Sequence, residues 1–182
     1  MTHSLAHHFL LATSSLGDSR FDKALIYLCR HNTDGAWGFV VNQPLPVSVG
    51  GLLGEMDIDA GAAAMRIPAL NGGPLRTEAG FIIHTGLPEY SSSFAVSENI
   101  CLTTSKDVLP AIAKGALSHY LMCMGFCSWQ KGQLPAEIAR GDWLVCPADI
   151  GILFGEHRDK LAKAYDKLGI HPDLLAPIVG KA

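Results

Sequence analysis

The sequence predicts an α+β fold, and three observations carry the prediction. Short apolar runs rich in strand formers are separated by turn residues, stretches with helix caps lie among them, and no regular β–α–β rhythm orders the two. The 182 residues are 48% hydrophobic, enough for one substantial core and cramped for two. No internal repeat, low-complexity run or linker interrupts them, so 1–182 reads as a single domain.

HHFLLAT (7–13) and ALIYLCRH (24–31) are strand-like, HNTDGAWG (31–38) supplies a turn, and AWGFVVN (36–42) is the return strand. Asn32, Asp34 and Gly35 tolerate the positive φ of such turns, which sets a hairpin over about 24–41. The prolines of NQPLPVSVGGLLGEM (42–56) stop the strand, and Ser48 is placed to cap a short helix carrying Leu52, Leu53 and Met56 inward. RIPAL (66–70) and GFIIHTG (80–86) are two strands bracketing NGGPL (71–75), and SFAV (93–96) with ICL (100–102) suggests another short pair. TTSKDVLPAIAKG (103–115) has a helix start and stop, with Thr104 or Ser105 as cap, Asp107 near the positive end and Gly115 closing it. Pro110 keeps that helix short or bent.

HYLMCMGFC (119–127) is read as a strand, because nine residues with Gly125 among them make a poor helix. The spacing of His119, Cys123 and Cys127 would converge on one ion only in a helix. In a strand Cys123 and Cys127 share a face but stand two pleats apart, about 13 Å, too far for one zinc. A helix over about Gln133–Ala139 and a strand DWLVCP (142–147) follow. The closing stretch is helical, with Leu161, Tyr165 and Leu168 on one apolar stripe and Pro172 ending it.

Lys and Arg total 14 against 17 Asp and Glu, a formal charge of −3, with no basic cluster. Direct nucleic-acid binding is disfavoured, since phosphate neutralisation supplies most of such affinity, although a dimer can still assemble a small basic face from Arg66, Arg76 and Lys106. The apolar run Phe9–Ala12 is far too short for a signal peptide, and no stretch approaches the roughly 18 residues of a membrane span. The expectation is a cytoplasmic protein without membrane contact. The cysteines, Cys29, Cys101, Cys123, Cys127 and Cys146, are odd in number and scattered through apolar runs, as small buried hydrophobes would be.

Chemistry is harder to find. His84, His119, Cys101 and Cys123 are raw material for a Cys-His enzyme, but none sits in a nucleophile motif, and SSSFAV (91–96) is not a hydrolase elbow. His7 and His8 are adjacent and point different ways in a strand, which weakens a metal site there. NGGPL can turn the Gly72 and Gly73 amides toward an anion, or serve only as a tight strand connection. Trp129 and Gln133 flank a loop after a strand, where an aromatic wall and an amide can line a pocket, and Trp129 reads equally well as core.

The blocks HHFLLA, DSRFDKALIYLCRHNTDGAWGFVVNQPL, LNGGPL, GFIIH, TTSKDVL, GFCSWQKGQLPAEI and DWLVCPAD resemble, in order and spacing, the YqgE/AlgH family of bacterial proteins over nearly the whole chain. The resemblance implies a compact α+β fold, a bifurcated, mostly antiparallel sheet with a small barrel-like part surrounded by helices, and a cytoplasmic protein. Some members carry the label of transcriptional regulator. The chain departs from the family pattern at Gln43, where an arginine is common, at Cys127, usually an alanine place, and in its closing GKA.

Three functions compete. The preferred one is a non-catalytic binding or regulatory protein without cofactor or metal. Its partner is an unknown protein or small molecule, met near Asn42, Pro44, Gly72, Gly73, Pro74, Trp129 and Gln133. A transcriptional regulator, direct or indirect, is the alternative, and a thiol-based redox protein or enzyme is the third.

Overall fold

Strand β9 (Tyr120–Gln130) organises the molecule. The structure, a computed structural model, describes residues 3–171. One edge of β9 is occupied by β6 (Leu75–Thr85). The other edge is divided: residues 127–130 pair antiparallel with β3 (Gly35–Val40), while Cys123 and Met124 pair in parallel with β5 (Pro68–Asn71). The sheet forks at that division, and the Val40 N–H donating to the Gly72 carbonyl at 2.8 Å ties the two prongs together. The strand order is β10-β1-β2-β3-β9-β6-β8-β7, with β1 (His8–Ala12), β2 (Leu25–Asn32), β7 (Ser93–Ala95), β8 (Ile100–Thr103) and β10 (Trp143–Pro147). The result is a curled, mostly antiparallel half-barrel with helices around it, the α+β architecture anticipated above.

Period-two alternation assigns the strand faces. Along β2, Leu25, Tyr27 and Cys29 enter the inner core, while Ile26 and Leu28 enter a second cluster on the outer face. A strand covered on both sides therefore reads as a continuous apolar run. The inner core is closed by α5 (Ile150–Leu153) and α6 (Lys160–Leu168), and the outer cluster by α4 (Gln133–Ala139) through Leu134. A third cluster packs α1 (Val49–Glu55), α2 (Ala62–Arg66) and α3 (Leu109–Ala113) against Ile82 and Met122. Ser48 caps α1 as expected, its Oγ accepting from the Gly51 N–H at 3.0 Å.

Four expectations need correction. The prolines after β3 do not end strand structure, because Pro44–Ser48 forms β4, a strand paired among the described residues only with β5, where a missing N–H is tolerated. Met56 is not turned inward; it lies just past the end of the short α1 and is 42% exposed. Cys123 and Cys127 do not share a face: Gly125, at φ 79, kinks β9 and shifts its alternation by one. Cys123 consequently lies in the inner core and Cys127 in the outer cluster. Finally, α6 stops at Gly169, a left-handed C-cap at φ 68, and Pro172 lies outside the described residues.

Candidate functional site

The segment between β1 and β2 is held open as a long loop by contacts at both ends. At its start the Thr13 hydroxyl donates to the Gly141 carbonyl at 2.6 Å, and the Ser15 hydroxyl reaches the same oxygen at 2.9 Å. In the middle Asp18 accepts from the Arg20 backbone and pairs with its guanidinium at 2.7 Å, which holds the carboxyl below its usual range. Phe21 stands edge-on to Trp143 with ring centroids 5.7 Å apart. At the end Lys23 adopts φ 56, a left-handed conformation costly for a lysine, and Asn42 fixes it there. The Asn42 amide donates to the Lys23 carbonyl, while its oxygen accepts from the Leu25 N–H, both at 2.9 Å.

Opposite this loop runs α6, pinned to the sheet by Lys160. Its ammonium is fully buried and donates to the Val41 carbonyl at 2.8 Å, and burial lowers its pKa to about 8. The neighbouring His157 is pushed down to about 4 by burial and by Lys160, and its Nδ1 has no partner among the described residues. Between the loop and α6 lies a cleft of about 860 Å³. Leu16, Phe21, Leu161 and Tyr165 give it apolar walls, and Lys23 and Arg158 also line it. A smaller cavity of about 220 Å³ shares Phe21 with it and is lined by Arg20, Gln43, Asn71, Gly73, Pro74 and Thr77.

The residues singled out from the sequence fall into separate places. Gly73 and Pro74 line the smaller cavity. Asn42 positions Lys23 beside the larger one, and Pro44 sits exposed in β4 opposite Leu70. Gly72 is part of the fork: its N–H donates to the Met124 carbonyl at 2.8 Å, so that amide is not free for an anion. A Cβ on Gly72 would press into the Gly125 carbonyl, and one on Gly73 into the backbone of Phe126. Trp129 is 6% exposed, and its indole N–H donates to Glu137 Oε2 at 2.9 Å. Gln133 donates to Glu137 Oε1 at 2.9 Å and accepts from the Gln130 N–H. This pair builds a clamp between β9 and α4. Trp129 lines a cavity with Trp37 and Ser128, apart from the one holding Gly73 and Pro74.

All five thiols are free and buried, and burial raises every one of them, Cys123 and Cys127 to about 12. His84 is 1% exposed, with Nδ1 bonded to the Thr85 carbonyl and Nε2 to the Thr103 hydroxyl at 2.7 Å. The carbonyl fixes the proton on Nδ1, and in the neutral ring Nε2 then accepts. His7 meets the Tyr27 hydroxyl and His8 the Ala6 carbonyl, so the adjacent rings do diverge. Among the described residues no three His, Cys, Asp or Glu side chains converge to hold a metal, and no helix is long and apolar enough to cross a membrane.

A forked α+β half-barrel with a ligand-sized cleft between the β1–β2 loop and its last described helix is the class of molecule that these observations define. The AlgH-like family model matches residues 9–173, and the chain belongs to that family. It is similar to a UPF0301 protein of Psychrobacter cryohalolentis, 50% identical over 183 residues and 98% of each chain. It is also similar to one of Vibrio cholerae, 37% identical over 98% of this chain and 100% of the relative. The solution structure of the AlgH protein from Pseudomonas aeruginosa aligns over 100% of both chains at 36% identity, with a TM-score of 0.80. A Corynebacterium diphtheriae crystal structure shares the fold at 18% identity, with a TM-score of 0.62 over 83% of this chain and 79% of its own.

Proposed function

We propose that this chain is a non-catalytic binding protein whose ligand sits in the cleft between the Thr13–Lys23 loop and α6, with the Gly73 and Pro74 cavity as its annexe across Phe21. The observation that carries the reading is the cleft, about 860 Å³ with mostly apolar walls and a few charged groups. Small-molecule sites have that size and that lining. Thiol chemistry is opposed by the raised pKa values, because the thiolate is the reactive form. Any regulatory output runs through occupancy of the cleft, since a chain of net charge −3 without a basic cluster offers duplex DNA little.

Amide chemical-shift mapping against a library of small acids, bases and neutral compounds tests the reading. Perturbations should gather at 12–23 and 158–165. Perturbations gathered instead at 128–135, or none at all, would contradict it.

A further inference from the structure

We infer that the cleft accepts an anionic amphiphile, a molecule with an apolar body and a carboxylate or phosphate head; this rests on the cleft being a ligand site at all. Leu16 and Phe21 on the loop and Leu161 and Tyr165 on α6 make the larger part of the cleft lining apolar. An inorganic anion would leave that lining wetted, and an apolar body covers it. The charges beside the wall set the sign of the head. Asp18 is engaged by Arg20 at 2.7 Å, while Lys23 and Arg158 form no ion pair among the described residues, leaving two cations against the single carboxylate of Asp22.

The two cations differ in a useful way. Lys23 is presented by a backbone locked at φ 56 and bonded to Asn42, so it brings a point charge from the loop. Arg158 brings a planar fork from the α6 side, suited to two oxygens of one head. Both side chains are exposed, so the head they meet stays in contact with water while the apolar body is covered. A cationic amphiphile meets repulsion from both residues.

Calorimetric titration with decanoate, decyl phosphate and decyltrimethylammonium, each as free monomer, tests the proposal on wild type, Lys23→Asn and Arg158→Gln. Asparagine accepts the left-handed backbone, and unchanged unfolding midpoints establish that both variants are folded. The two anions should bind wild type and the cation should not. Each variant should bind the anions about threefold to fivefold more weakly, the scale of a lost ion pair at an exposed side chain. Equal binding of cation and anions, or variants that bind like wild type, overturns it. Cosedimentation with phosphatidylglycerol vesicles without binding of the free monomers would place the recognised anion at a lipid surface and overturn it too. Failure of all three amphiphiles while library compounds still perturb 12–23 and 158–165 sinks this inference and leaves the cleft reading standing; silence in both experiments sinks both.

Discussion

Glu137 takes the indole N–H groups of Trp129 and Trp143 on one carboxylate oxygen, at 2.9 and 2.8 Å, and the Gln133 amide on the other. Removing it leaves two buried indole donors without an acceptor, each costing more than the bond itself contributes. Glu137→Ala should therefore lose about 2–4 kcal/mol in urea unfolding. A loss below about 0.5 kcal/mol, as at a surface site, would show that the clamp is unimportant. Lys160 gives a second test. Its pKa is about 8 folded against 10.5 as the ordinary value, so between these the unfolded chain binds the proton that the folded chain has lost. Stability contributed at this site rises with pH across that window, by at most about 1.4 kcal/mol per unit. The stability of wild type relative to Lys160→Met should climb from pH 8 to pH 10, and a flat or falling difference contradicts the assignment. At this scale the sequence is a poor guide. Trp129 and Gln133 were legible as a notable pair, but only the fold shows that their common partner is Glu137.

At the scale of elements the legible parts are those fixed by neighbours in sequence. The β2–β3 hairpin follows from Asn32, whose Oδ1 accepts from the Asp34 N–H at 2.9 Å, and from Gly35; α4 spans Gln133–Ala139 as the pattern predicts. The fork was not derivable from local pattern, because it depends on two distant prongs meeting β9. Gly72 and Gly73 look the same in sequence whether they cradle an anion or press against a strand. Gly125 likewise gives no local sign that it shifts the alternation of β9, and with it the face of Cys127. Its φ of 79 and the nearby Gly73 carbonyl leave no room for a side chain. Gly125→Ala should cost about 3 kcal/mol and lower the urea midpoint, whereas Gly132→Ala, at φ 76 with open space around it, should cost less. Equal losses would mean that backbone conformation, not the crowded fork, decides.

For the whole molecule, the α+β class and the burial of the cysteines were readable from composition and pattern, while the cleft was not. Its walls come from residues near 12–23 and 158–165, far apart in sequence; 18–23 opens one of the blocks that carry the family resemblance, but nothing local in either stretch marks it as facing the other. The loop depends on a strained Lys23 and on Asn42 reaching back to it, which are facts of three-dimensional closure. Burial of every thiol predicts that alkylation of the native protein proceeds only as fast as unfolding exposes the sulfurs. A thiol modified much faster than global unfolding would revive redox chemistry. The account turns on the cleft, and Ala162, exposed on its α6 wall, gives direct access to it. Ala162→Trp should project an indole into the cleft, sharply reduce the ligand-induced amide shifts at 12–23 and leave the unfolding free energy within about 0.5 kcal/mol of wild type. Ligand-induced shifts of undiminished size in this folded variant would contradict the account.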